Sequence, residues 1–385
     1  MIRKILLFVS LCVLFLVIVQ CERDTVNPVG ADIYNKNVGT VMPPATISVN
    51  DTSYIYTVPT GNSDYLYMGT QNRRKAYAMF RFIELPDSVQ IDTATFTVYI
   101  NKIYGDAPAD LLPDAYLLNY KFEESEFTWR DFNDLQPIDQ KIAITPVDTV
   151  EDSILSFTLP PEIVQAWADT NQSALNCGFA ITYDAPDTGF TVEMFSQDYV
   201  TYDNINPRLV LKAHMDDSTY TYTSTPYDLF ILDPPEETGT ASVLDNALGI
   251  RTLLHFSADS IPEDATVNGA FLTLYSDTTT FYPDGSESYL FKLAPVRDAS
   301  WPFPDVPYDS TQILAPEIPA GSDSVTINIT KYVQDWTSGI YENAGLIMLG
   351  YWEGSDIMRR TFYNSEAIES KRPRVKVFYT IPPNR

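Results

Sequence analysis

Histidine, cysteine and basic side chains are scarce in this chain. Its 385 residues include two histidines and three cysteines, which leaves almost no material for a zinc site, a serine or cysteine triad, or a disulfide framework. Lysine and arginine total 25 against 51 acidic residues, a formal net charge of −26. A surface that acidic repels phosphate backbones, which argues against a general nucleic-acid binder. No GxGxxG, P-loop, HExxH, CxxC or GxSxG pattern occurs. What is plentiful is tyrosine (25), phenylalanine (20) and proline (27), a mixture that favours strands and the turns between them. The length suits two domains of about 170 residues better than one oversized core.

The N-terminus places Arg3 and Lys4 before an apolar stretch from Ile5 to Val19. As a helix that stretch spans about 22 Å, short of a hydrocarbon core of roughly 30 Å, and has the form of a secretory signal segment. Ile18-Val19-Gln20-Cys21 resembles a bacterial lipobox. The resemblance implies loss of residues 1–20, acylation of Cys21 and an exported protein held at the outer membrane or cell surface by its lipid anchor alone. Each buried methylene contributes about 0.8 kcal/mol, so two or three acyl chains hold firmly. The plainer alternative is an ordinary signal segment or uncleaved anchor with a chance cysteine. Residues 21–44, with Pro28, Gly30, Gly39, Pro43 and Pro44, read as a tether.

After the tether the chain repeats itself. Met79-Phe80-Arg81-Phe82, Leu85-Pro86 and Ala94-Thr95-Phe96 are answered by Leu253-Leu254-His255-Phe256, Ile261-Pro262 and Ala270-Phe271-Leu272. Gln165-Ala166-Trp167 and Asn176-Cys177-Gly178 are answered by Gln334-Asp335-Trp336 and Asn343-Ala344-Gly345. A shared element order with drifting offsets describes a duplicated domain with loop insertions, residues 45–213 and 214–385. Period-two stretches such as Ser324-Val325-Thr326-Ile327-Asn328-Ile329 dominate, with one short helix per copy. Thr330 is placed to cap the second helix and Pro160-Pro161 to open the first. The fold class expected is all-β: two tandem antiparallel β-sandwiches, each with one short helix.

Ile329 to Gly339, then Asn343-Ala344-Gly345-Leu346 and the closing Arg372-Pro373-Arg374-Val375, resemble the hallmark segments of DNRLRE domains, the disaggregatase-related repeats. Phe122-Glu123-Glu124 and Thr128-Trp129 are similar to that family's middle segment. The resemblance covers nearly all of residues 45–380. It implies jelly-roll sandwiches on secreted or surface proteins, often beside polysaccharide-active modules, and some relatives are classed as carbohydrate-binding modules.

Trp129, Trp167, Trp301 and Trp336 occupy repeated positions, which favours packing, Trp167 and Trp336 most of all. Trp129 and Trp301 lie in charged, proline-bearing loops and are kept as sugar-stacking candidates. So is Trp352, which has no counterpart in the first copy. The basic clusters Arg73-Arg74-Lys75 and Arg359-Arg360 stand beside strands, where they could hold carboxylate or sulfate groups of an anionic glycan; the alternative is neutralisation of local acids. Asp184 to Gly189 and Asp284 to Glu287 could give oxygens to a structural calcium, although neither has EF-hand spacing. No other cofactor is indicated. His255 and His214 offer no catalytic pairing.

Three functions stay open on the sequence. The first is a surface lipoprotein that binds extracellular polysaccharide or a cell-surface component, or mediates adhesion, without catalysis. The second is a polysaccharide-degrading glycosidase or lyase, and the third a structural spacer of the envelope. Carboxylates gathered in one groove would favour the second, an aromatic platform the first.

Overall fold

A computed structural model of the chain describes residues 39–383, apart from 109–110, 148–152, 170, 172–175, 184–188, 202–203, 235–240 and 299–302. The signal segment, Cys21, most of the tether, Trp301 and Asp184 to Asp187 lie outside the described residues. The described fold is all-β and antiparallel, in two units of curled, packed sheets.

In the first unit the strand Gln90–Gly105 serves two sheets. Its first half lies between Ile154–Leu159 and Arg208–Met215, and its second half pairs with Phe190–Phe195. Ala94, Phe96 and Val98 point inward at period two and are fully buried. Phe96 meets Phe80 at 4.7 Å and Phe179 at 5.2 Å between ring centroids, the centre of the core. The second unit repeats the plan with Thr266–Tyr275 between Arg374–Ile381 and Ser324–Asn328, facing a sheet that contains Ile250–His255, Leu346–Gly350 and Tyr289–Pro295.

Among the described residues three α-helices accompany the sheets: α1 (Trp129–Leu135), α2 (Pro161–Ala168) and α3 (Thr330–Thr337). α2 and α3 are the expected pair. α1 is an addition, started by a capping box in which Thr128 and Asp131 satisfy each other's backbone N–H groups. Thr330 does not cap α3. It is the first helical residue, and its hydroxyl accepts from the N–H of Ala270 at 2.9 Å, tying helix to strand.

Four pairs of repeated motif residues serve packing or edge closure. Trp167 stacks on Phe179 and Trp336 sets its ring edge to Phe256. Gln165 accepts from Ile91 N at 2.8 Å and donates to Val89 O; Gln334 accepts from Val267 N at 2.7 Å and donates to Ala265 O. Asn176 and Asn343 donate to the equivalent carbonyls of Phe82 and Phe256. Gly178 and Gly345, both at positive φ, pass so close to a neighbouring strand that a Cβ would stand 2.1 Å from Phe80 O and 2.6 Å from Leu254 O.

The strand pairing does not follow the boundary expected at residue 214. Ala45–Ser48 and Asn50–Ile55, the leading strands of the first copy, pair with Arg374–Ile381 and Ile250–His255 of the second. Even Thr40 and Val41, read as tether, pair with Ile381 and Thr380. Conversely Ser218–Ser224 and Pro226–Leu232, the leading strands of the second copy, pair with Arg208–Met215 and Arg74–Phe82 of the first. Asn50 opposite His255 and Tyr227 opposite Arg81 are equivalent places. Each copy therefore lends its leading strand pair to the other. A hairpin joining 215 to 218 is short, so the leading strands of the second copy remain beside the strand they follow. The units are thus residues 56–232, and 233–383 completed by 39–55.

Candidate functional site

The units meet along a groove of about 490 Å³ that opens to solvent. The first unit presents one face of three neighbouring strands, Tyr65–Gln71, Phe190–Phe195 and the second half of Gln90–Gly105. In register, Glu193 stands opposite both Tyr67 and Lys102, so alternation brings Tyr65, Tyr67, Glu193, Lys102 and Tyr104 to one face. The register shift beside Glu193 brings Asn101 within reach as well.

Glu193 is the centre of that face and is only 7% exposed. Its Oε2 accepts from the Tyr67 hydroxyl at 3.1 Å and the Tyr104 hydroxyl at 3.2 Å, and its Oε1 from Asn101 Nδ2 at 2.5 Å. Burial, and then the charge of Glu193, push the pKa of both tyrosines up, so both stay protonated donors. Lys102 forms an ion pair across the groove with Glu287 of the second unit.

The second unit supplies the opposite wall through Trp352, Ser355, Asp356 and Met358. Its shape depends on Asn246, which donates to Asp356 Oδ1 at 2.7 Å and accepts from the Tyr289 hydroxyl at 3.0 Å. Gly350 leaves room for this, since a Cβ there would lie 1.7 Å from Asn246 Oδ1. Asp356 also accepts from Met358 N. Burial outweighs these donors and, helped by the charges of Asp245 and Glu193, raises the Asp356 pKa to about 7. Trp352 stands at the rim, 54% exposed, with its ring held at 4.8 Å from Tyr351 in an edge contact. It also lines a second hollow of about 410 Å³ that shares Glu287, Asp356 and Met358. The groove therefore combines an exposed indole face with hydrogen-bond acceptors on its floor.

The other expected site residues are dispersed. Arg74 is 2% exposed and bridges the units: its Nη2 meets Asp245 Oδ2 at 2.7 Å, its Nε donates to Asp233 O, and its guanidinium covers the Tyr282 ring at 4.6 Å. Arg360, 1% exposed, donates to the carbonyls of Tyr282, Arg359 and Glu287 and lies over Phe281. Both are committed inside the protein, which corrects their expected role as surface anion contacts. Arg359 is also buried, on the opposite side of its strand. Arg73 is exposed in the tight turn after Gln71, where Asn72 and Arg73 both have positive φ. Lys75 is half-buried with its ammonium 4.9 Å from the centre of the Tyr77 ring. Trp129 begins α1 and packs against the cluster of Met79, Leu118 and Phe122, so it is a packing residue. Of the expected sugar- and anion-binding residues that are described, Trp352 alone lines the groove, together with Glu287 of the calcium candidates.

Glu193, Asp356, Tyr67 and Tyr104 were not read from the sequence as site residues. Carboxylates and tyrosines are so common here that no pattern singles these out; only the meeting of units does. Asp284 caps its own loop through Ser286, and Glu287 pairs with Lys102. Among the described residues no three His, Cys, Asp or Glu side chains are grouped to hold a metal ion. Nor is any described helix long and apolar enough to cross a membrane.

No family model and no curated protein matches the chain. Among solved structures, one covering 84% of this chain and 84% of its own is titled for the complete structure of manganese lipoxygenase of Gaeumannomyces graminis and a partial structure of zonadhesin of Komagataella pastoris. The identity is 10% and the TM-score 0.15, a likeness too slight to carry any argument.

Proposed function

We propose that the protein is a surface-anchored glycan-binding protein, built from two DNRLRE-like modules and acylated at Cys21, that takes a sugar chain in the groove between its units. The observation that carries this reading is Trp352, a large indole left half in solvent at the rim of a groove floored by acceptors. Pyranose C–H faces stack on such a ring while Asp64, Asn62 and Glu193 accept from sugar hydroxyls. Four carboxylates against one lysine make the groove unsuited to an anionic chain, so its ligand is a neutral or amino-bearing glycan.

Asp356 favours a second reading. A carboxylic acid near pKa 7 facing the carboxylate of Glu193 has the acid-and-base character of glycoside hydrolysis. Against it, both oxygens of Glu193 are already engaged by three donors, which fixes it as a hydrogen-bond acceptor. A glycan array probed with the full chain, with reducing-end release assayed in parallel on every hit, separates the readings. Binding without release supports the first, release supports the second, and no retention on any glycan defeats both.

A further inference from the structure

On the second unit, away from the groove, a hollow of about 420 Å³ lies between the strand Asn50–Ile55 and the strands Ala241–Asp245 and Arg359–Tyr363. It exists because of the strand exchange. Asn50–Ile55 comes from the other copy and pairs with Ile250–His255, while Ala241–Asp245 shares with that neighbour one backbone register pair, Asp245 with Ile250, and a hydrogen bond from the Thr252 hydroxyl to Val243 O. Ser53 spans the opening, accepting from Val243 N at 2.9 Å and sharing a hydrogen bond with Thr252.

Arg359 lines this hollow and is 8% exposed. Its side chain makes no hydrogen bond or ion pair among the described residues, and its Nη1 is wholly buried with no acceptor. Asp245 stands opposite it in the strand register, yet both oxygens of Asp245 are taken, Oδ2 by Arg74 at 2.7 Å and Oδ1 by Leu248 N at 3.1 Å. Arg359 is thus left beside a carboxylate that Arg74 already holds. A buried charge left without a hydrogen-bonded partner is costly, and burial together with Arg74 pulls the Arg359 pKa down against the pull of Asp245. The planar fork of arginine fits a carboxylate with two parallel bonds. Around it the wall is polar: Thr52, Ser53, Asn364 and Ser365. Two acids, Asp51 and Glu366, also line it. Asp51 is held by Ser242 and Ser365 N, while Glu366 is exposed. Acids at the wall disfavour a multiply charged anion and suit a ligand with one carboxylate and several hydroxyl donors.

We propose that this hollow is a binding site for a carboxylated sugar, a uronic-acid unit whose carboxylate is clamped by Arg359 and whose hydroxyls meet Asp51, Ser365 and Asn364. The site is separate from the groove and does not depend on the glycan taken there.

The test is calorimetric titration of the full chain with glucuronate and galacturonate, with glucose, galactose and inorganic sulfate as controls. At least one uronate binds, neither neutral sugar does, and sulfate does not compete at equal concentration. Arg359→Met, which keeps the length and apolar stem, lowers the affinity at least tenfold, and Arg359→Lys restores part of it. Glu366→Gln, on an exposed residue that folding does not need, raises the affinity several-fold by removing a like charge. Failure of both uronates to bind would overturn the proposal. So would sulfate binding as tightly as uronate, or an affinity untouched by both Arg359→Met and Glu366→Gln.

Discussion

Removing residues 39–55 should unfold the second unit and leave the first intact. The strand Asn50–Ile55 pairs over six positions with Ile250–His255, and Ala45–Ser48 pairs over four with Arg374–Ile381. Ten paired residues at a net contribution of roughly 0.5–1 kcal/mol per ladder bond give about 5–10 kcal/mol. Val49, 1% exposed between the two strands, adds about 1.5–3 kcal/mol of burial, with Ala45 and Ile47 packed beside it. Domains are stable by about 5–15 kcal/mol in total, so the loss takes most or all of it. Two fragments make the assay, residues 56–233 and 233–385, each melted under circular dichroism. The first should melt cooperatively. The second should lack a transition until a peptide of residues 39–57 is added, because an edge of each sheet is then filled in trans. Cooperative melting of 233–385 without peptide, at the temperature of the full chain, would refute the strand exchange as a source of stability.

Arg74→Met should cost about 1.5–3 kcal/mol, since Asp245 loses its hydrogen-bonded ion partner while Arg359 still stands opposite it in the strand register; urea melts of the full chain read the loss. Asp356→Asn keeps the acceptor used by Asn246 and Met358 but removes the titration. The folded-state pKa of Asp356, about 7, lies above the ordinary carboxylate value, so stability is fully present below pH 4 and is lost as pH rises towards 7 and just beyond. The variant should therefore gain stability relative to the wild type between pH 4 and pH 8. Glu124, also raised to about 7 by burial, titrates in both proteins and cancels in the comparison. A difference in melting temperature that does not change with pH would remove Asp356 as a titrating group.

Much of the fold was legible because duplicated residues announce themselves. Trp167 with Trp336, Gln165 with Gln334, and Gly178 with Gly345 recur in order, and each pair does the same mechanical work in its unit. The direction of the leading strands was not legible. Ala45–Ser48 and Ser218–Ser224 are interchangeable as edge strands, and only the short connection after Met215 and the packing of Val49 choose between partners. The arginines misled for a simple reason. Charged neighbours such as Arg359 and Arg360 read as one exposed cluster, but adjacent strand residues point to opposite faces, and here both faces are covered. The capping box at Thr128 and Asp131 was available as a Thr-x-x-Asp pattern and marks α1. Trp352 was legible by its lack of a counterpart, since a residue outside the repeated frame is free of the frame's packing duties. Glu193 and Asp356 lie 163 positions apart on different units, and nothing local joins them.

The most direct test of the account is retention of glycan by the full chain with and without the Trp352 ring. Affinity electrophoresis through gels containing neutral polysaccharides should slow the wild-type protein on at least one of them. Trp352→Ala should weaken that retention at least tenfold, in line with loss of about 1.4 kcal/mol or more of contact, while the melting temperature stays the same because the ring is largely in solvent. Retention unchanged by Trp352→Ala, or no retention on any polysaccharide, would contradict the claim that the groove between the units is a sugar site.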